Sequence, residues 1–163
     1  MSRLDSFINR VIAQRECLNY ACAEIAGLDG VVFELGLGNG RTFDHIRSLL
    51  PKHDIYVFER KPAAHPNSTP DDEHLIVGEV TTTLPASLEH FTGKVSLLHS
   101  DLGTADLAEN ARLAAFLRET IPGLLVPGAI VLCDPELHLE NADRLPLPDG
   151  VQKDRYYMYR WKG

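Results

Sequence analysis

Residues 31–47 read Val-Val-Phe-Glu-Leu-Gly-Leu-Gly-Asn-Gly-Arg-Thr-Phe-Asp-His-Ile-Arg. A short run that is apolar on both faces ends at Glu34 and Leu35, as a strand buried in a parallel sheet does. Three glycines at alternate positions come next (Gly36, Gly38 and Gly40), and a helical period begins near Arg41. Such a strand–turn–helix unit lets the main chain turn sharply and lets a ligand approach it without side chains in between. The helix start offers free N–H groups and a positive dipole end to an anionic group.

Four more runs of strand length lie downstream: Ile55–Phe58, Leu75–Val77, Val95–Leu98 and Ala129–Cys133. Segments of helical period, Thr42–Leu50 and Asp106–Ile121, separate some of them. The alternation predicts an α/β, doubly wound, mostly parallel sheet with helices on both faces. The connections after the second and third strands are poorer in helix signals. Pro62, Pro66 and Pro70 rule out a regular helix in the first, and both crossovers are expected to be trimmed. Ahead of the sheet, residues 4–25 space Leu4, Phe7, Ile8, Val11, Leu18, Cys22 and Ile25 helically, with Ser2 and Asp5 as a capping signal. This predicts an N-terminal helical region over 1–28 that packs on the downstream chain and covers part of a cleft. The aromatic run Tyr156–Trp161 predicts an antiparallel edge strand within 150–163.

The chain of 163 residues carries 16 Lys+Arg against 23 Asp+Glu, a formal charge of −7. Its 44% hydrophobic content is that of a folded protein with one core. The acid excess disfavours a nucleic-acid surface, which needs clustered cations. No apolar run approaches the ~20 residues that span a bilayer. Cys17, Cys22 and Cys133 form neither a disulfide framework nor a C-x-x-C pair, so reduced thiols in the cytoplasm are expected. The seven histidines contain no i,i+4 pair, and no histidine metal site is expected.

The acid that gives the glycine turn its meaning is Glu59, 23 positions after Gly36 and at the end of the second strand. The ends of the first two strands adjoin in a doubly wound sheet, so a carboxylate there faces the loop and can accept ribose hydroxyls. A nicotinamide fingerprint, G-x-G-x-x-G, would want glycine where this chain has Arg41. The arrangement E-L-G-x-G-x-G instead resembles motif I of the class I S-adenosylmethionine-dependent methyltransferases. Gly78-Glu79-Val80 resembles that family's turn contacting adenine, with Glu for the usual Asp. VSLLHSDLG and LLVPGAIVLCD resemble its fourth- and fifth-strand motifs, one glycine of the latter being lost. The resemblance covers roughly residues 30–134.

It implies a methyltransferase domain with its cofactor core at 31–134, and a cofactor set of Glu34, Gly36, Leu37, Gly38, Asn39, Gly40, Arg41, Thr42, Glu59, Arg60, Gly78, Glu79, Val80, Ser100 and Asp101. The methionine end would lie at Gly38–Thr42, the ribose on Glu59 and the adenine near Arg60 and Glu79. Asp101 and Asp134, after strands four and five, are the candidate catalytic residues; His99 reads as a packed histidine. Asp101 also reads as a helix cap and Asp134 as a turn former before Pro135. SDLG and CDPE also resemble, loosely, the acids that hold Mg²⁺ in metal-dependent O-methyltransferases of the macrocin type. The expected acceptor is a small molecule, methylated on O or N, with no nucleic-acid or membrane partner; a homo-oligomer is compatible with the sequence. The alternatives are a cofactor-binding protein without transfer activity and a nicotinamide-dependent oxidoreductase.

Overall fold

In the computed structural model, which describes residues 1–163, Val31–Leu35 forms the central strand, β1, and the chain folds outward from it on both sides. A helix, α1 (Arg3–Ile25), precedes it. After it come α2 (Arg41–Leu49), β2 (Ile55–Glu59), β3 (Leu75–Val77), α3 (Val80–Phe91), β4 (Val95–Ser100), α4 (Leu107–Thr120), β5 (Leu125–Cys133), β6 (Ala142–Arg144) and β7 (Tyr157–Trp161). The seven strands form one sheet in the order β3-β2-β1-β4-β5-β7-β6. The first five are parallel; β7 runs antiparallel to β5 and β6 antiparallel to β7.

Side-chain alternation along each strand divides the core in two. Val32, Val57, Leu97, Ile130 and Leu132 pack under α1 and α2. Phe33, Leu35, Phe58, Leu98 and Val131 pack under α3 and α4. Helices therefore cover both faces, as the apolar strands require. The register brings Leu35 beside Phe58 and Ser100, and Ser100 beside Cys133. One residue further along, Glu59, Gly36, Asp101 and Asp134 follow one another across the carboxyl edge of four neighbouring strands.

Ser2 caps α1 and forms a reciprocal capping box with Asp5. The C-terminal half of this helix is core: Ala13, Cys17, Leu18, Ala21 and Ile25 are fully buried. Its first turns are not, and Leu4, Phe7 and Ile8 remain 65%, 47% and 44% exposed. The second-strand crossover holds only a 3₁₀ turn at Pro66–Ser68, as its prolines require. The third differs from expectation, because α3 runs through Pro85 without interruption. The carbonyl that Pro85 leaves without a donor belongs to Thr81, which is exposed to solvent, while Leu84 and Ser87 bury one face. The C-terminal strand is antiparallel but not at the edge. Ala142–Arg144 pairs outside it, with Ala142 opposite Trp161, so β6 is the edge strand.

Candidate functional site

The turn after β1 is built from main chain. Gly36 adopts φ 92°, and a Cβ there would stand 2.9 Å from the Leu102 side chain. Gly40, at φ 75°, is the N-cap of α2, and a Cβ on it would collide with the carbonyl of Ser68. Both positions therefore require glycine. The first turn of α2 carries no side-chain cap, which leaves its N–H groups turned to the rim.

Glu59 closes β2 directly opposite this turn. Its Oε2 accepts the backbone N–H of Leu37 at 2.9 Å and of Gly38 at 3.3 Å, and its Oε1 accepts that of Lys61 at 2.9 Å. Burial works to raise the Glu59 pKa, but these donors outweigh it and hold it below the usual carboxylate range.

Two cavities meet at Gly36, Glu59 and Leu102. One, of about 490 Å³, is walled by Arg60, Gly78, Glu79 and Val80 on one side and by Leu113 and Phe116 of α4 on the other. An Arg60–Glu79 ion pair of 3.7 Å stands at its exposed mouth. The other, of about 340 Å³, is lined by Leu37, Gly38, Asn39, Arg41 and Thr42 of the glycine turn. Arg10 and Gln14 of α1, with Asp101, form its opposite wall. Each volume lies in the usual range of small-molecule sites, about 300–1,000 Å³. Together they make a cleft over the carboxyl ends of the strands, apolar at one end and polar at the other, with a carboxylate at the joint. A nucleoside bearing a charged amino-acid tail fits that division.

Asp101 is held by α1: its Oδ2 accepts from Arg10 Nη2 at 2.9 Å and from Gln14 Nε2 at 2.7 Å. It does not cap the following helix; Asp106 does, accepting from the N–H groups of Ala108 and Glu109. Asp134 lies behind the cleft, next to Gly103, where a Cβ would strike its carboxylate. Its Oδ1 is buried without a hydrogen-bond partner. Burial first, and the neighbouring Asp101 second, push its pKa up to about 6.

Four of the expected site residues therefore do not line the cleft. Glu34 is fully buried beneath the glycine turn, where it accepts from the Thr42 hydroxyl and pairs with His99 Nδ1 at 2.6 Å. Gly40 packs on Ser68 rather than on a ligand. Ser100 points into the interior, its hydroxyl oxygen unpartnered. Asp134 is screened by Gly103. Glu34 and Ser100 belong to the strands themselves, where side chains point alternately into the two faces of the sheet, whereas Gly40 begins α2 and Asp134, though beyond the end of β5, is turned against Gly103. Neither Arg10 nor Gln14, nor the α4 wall, is among the residues expected from the sequence. The available signal for the first two was an i,i+4 polar pair beside the apolar stripe of Ala13, Cys17 and Leu18.

The donor set does not suit a resident Mg²⁺. No three His, Cys, Asp or Glu side chains gather to hold a metal. The Asp101 carboxylate is already neutralised by an arginine, and Asp134 is turned against Gly103.

The family described as S-adenosyl-L-methionine methyltransferase matches residues 1–161 of the chain. The chain belongs to that family. The crystal structure of an S-adenosyl-L-methionine methyl transferase from Silicibacter pomeroyi DSS-3 is 45% identical, covers 99% of each chain and superposes with a TM-score of 0.94. The fold is shared with much more distant proteins. Fibrillarin of Aeropyrum pernix, solved with natively bound S-adenosyl-L-methionine, is 17% identical over 91% of this chain and 75% of its own, with a TM-score of 0.57. The Podospora anserina methyltransferase PaMTH1, solved with SAH, is 17% identical over 100% of this chain and 80% of its own, at 0.55. No protein of curated function matches. The class I methyltransferase identity replaces the oxidoreductase alternative, in agreement with Arg41 standing where a nicotinamide fingerprint needs glycine. No helix of this methyltransferase is long and apolar enough to cross a membrane.

Proposed function

We propose that this S-adenosylmethionine-dependent methyltransferase acts on a small-molecule acceptor at an oxygen or nitrogen atom, in the cytoplasm. The observation that carries the cofactor placement is the carboxylate of Glu59 at the junction of the two lobes, its Oε2 turned to the glycine turn. We assign the ribose to Glu59, and the adenine to the lobe between Val80 and the Leu113–Phe116 face of α4. The methionine end belongs against Gly38–Thr42, with Arg10 for its carboxylate and Asp101 for its ammonium group.

The bound cofactor supplies a sulfonium methyl that is already a good electrophile. What remains for the chain is to hold the acceptor in line, exclude water and take up a proton. Arg10 and Gln14 of α1 wall the polar lobe opposite the glycine turn. Asp134, behind the cleft and screened by Gly103, is not placed to take that proton directly.

Two features support a small acceptor, and a third supports the cytoplasm. The formal charge of −7 opposes a polyanion. The elements between the strands and their covering helices are short, and no recognition domain is inserted among them. The three cysteines are unpaired buried thiols, which suits a reducing compartment. The test is release of S-adenosylhomocysteine from S-adenosylmethionine over a panel of small hydroxylated and amine compounds, with RNA and protein as parallel arms. Turnover confined to the polymer arms overturns the small-molecule reading. Cofactor binding with no turnover in any arm favours the silent binder.

A further inference from the structure

The first turns of α1 stand beside the polar lobe with little apolar support. The buried residues of this helix begin at Ala13, while Leu4, Phe7 and Ile8 face solvent. A helix end that buries no apolar face frays readily. Yet Arg10, within this stretch, meets Asp101 at the cleft at 2.9 Å. Besides the Arg41 guanidinium, 5.7 Å from the Phe7 ring centre, two polar contacts from the other end of the chain hold these turns. Arg155 Nη2 donates to the carbonyl and to the hydroxyl of Ser6, each at 2.6 Å. Asn9 Nδ2 donates to Gln152 Oε1 at 3.2 Å. Ser6 and Asn9 are three residues apart and so neighbours on one helix face. Arg10 follows Asn9 and lies one turn beyond Ser6.

Arg155 is itself a fixed point. The next residue, Tyr156, is 1% exposed, and its hydroxyl lies 2.8 Å from His99 Nε2. His99 Nδ1 lies 2.6 Å from Glu34 Oε2, and both side chains are fully buried. The other Glu34 oxygen accepts from the Thr42 hydroxyl. Each imidazole nitrogen and each carboxylate oxygen therefore has a partner, and the buried group has one arrangement open to it. The segment before β7 is thus pinned to the middle of the sheet at Tyr156 and reaches α1 at Arg155. The Arg155 Nε is buried without a partner, so the hydrogen bonds of this guanidinium go to Ser6. A part-buried cation with an idle donor is a poor means of stabilising a fold for its own sake.

We infer that Arg155 is a positioning residue for the cofactor: through Ser6 it fixes the first turns of α1, and with them the Arg10 guanidinium, at the polar lobe. This rests on the proposed placement of the methionine end between Gly38–Thr42 and Arg10. Arg155 lines neither lobe of the cleft, so it acts on a ligand only by way of α1. The Arg10–Asp101 contact does not replace it, because an ion pair with a half-exposed arginine holds a helix end weakly. By linkage the effect runs both ways, and a ligand that engages Arg10 tightens the Arg155–Ser6 clasp.

The experiment is a double-mutant cycle of Arg155→Met and Arg10→Ala, read as S-adenosylhomocysteine affinity by calorimetry, with urea midpoints alongside. Arg155→Met keeps an apolar stem and removes the donors. It is expected to weaken binding about fivefold, the scale of one ordinary hydrogen bond. In the Arg10→Ala background the same substitution is expected to change affinity little. Full affinity in Arg155→Met, or an undiminished effect without Arg10, overturns the inference and leaves the cofactor placement standing. Unaltered affinity in Arg10→Ala overturns the placement itself. A second readout needs no substitution at all: S-adenosylhomocysteine added to the wild type should slow amide exchange in the first turns of α1 and at residues 152–156 together. Slowing at α1 with none at residues 152–156 contradicts the coupling.

Discussion

The carboxylate of Glu59 accepts the backbone N–H of Leu37 at 2.9 Å, tying the end of β2 to the glycine turn after β1. That contact makes Glu59 both a structural clasp and the group placed for the ribose. Changing Glu59 to Gln keeps the shape and removes the charge. It should weaken S-adenosylhomocysteine binding by ~1–3 kcal/mol, the range of a charge-assisted hydrogen bond. Calorimetry giving the wild-type affinity would remove Glu59 from the ribose site. Its depressed pKa also predicts a stability contribution that is present at neutral pH and lost as pH falls through that pKa.

Gly40→Ala should destabilise the fold by about 2 kcal/mol. The position combines φ 75° with the Ser68 carbonyl where the Cβ must go, and that carbonyl is main chain and cannot swing aside. Denaturant unfolding checks this. A cost of a few tenths of a kcal/mol would mean that the Ser68 turn yields easily.

Asp134→Asn should leave the fold intact and stabilise it above neutrality. The native pKa of about 6 lies above the ordinary value of 3.8, so between these values the native state holds more protons than the unfolded chain. Stability due to this group is therefore highest below pH 4 and declines as pH rises to about 6. The variant should gain on the order of 2 kcal/mol at pH 8 and nothing at pH 4. In the same variant methyl transfer should be retained, because the carboxylate lies behind Gly103 and outside the cleft. A stability difference independent of pH would contradict the buried, unpartnered carboxylate.

The His99 pKa responds to opposed effects: burial lowers it, and the Glu34 carboxylate at 2.6 Å overrides that and raises it. Its stabilisation is therefore complete below the unfolded value of 6.5 and declines as pH rises through the higher native pKa. Urea midpoints measured from about pH 6 to 9 should fall over that window in the wild type and stay level in His99→Gln.

Much of this was legible in the sequence, because it rested on local chemistry. Alternate glycines after a two-faced apolar strand, and an acid at the end of the next, located the cleft and its joint. The register then carried Asp101 and Asp134 to the same edge. Helix α3 was not legible: four threonines and valines and one proline hide a helix whose stability comes from Leu84 and Ser87 packing on the sheet. Strand β6 is three residues of mixed polarity, and only pairing with Trp161, Arg160 and Tyr159 defines it. Glu34 and Ser100 were assigned to the ligand from their motif, whereas their direction depends on the pleat. Gln14 could not be read at all, since its place at the site arises from Asp101, 87 residues away. An N-terminal truncation would not isolate the contribution of α1 either, because Ala13, Cys17 and Leu18 are core. Arg10→Ala does so, and should weaken cofactor binding while costing under ~1 kcal/mol of stability, as a half-exposed ion pair does.

The most direct test of the cofactor cleft is a crystal structure with S-adenosylhomocysteine. The ribose hydroxyls should lie within hydrogen-bond distance of Glu59, with the adenine between Val80 and Phe116 and the amino-acid end between Gly38 and Arg10. A ligand seated elsewhere, or with its adenine in the Arg10–Asp101 lobe, would contradict the account.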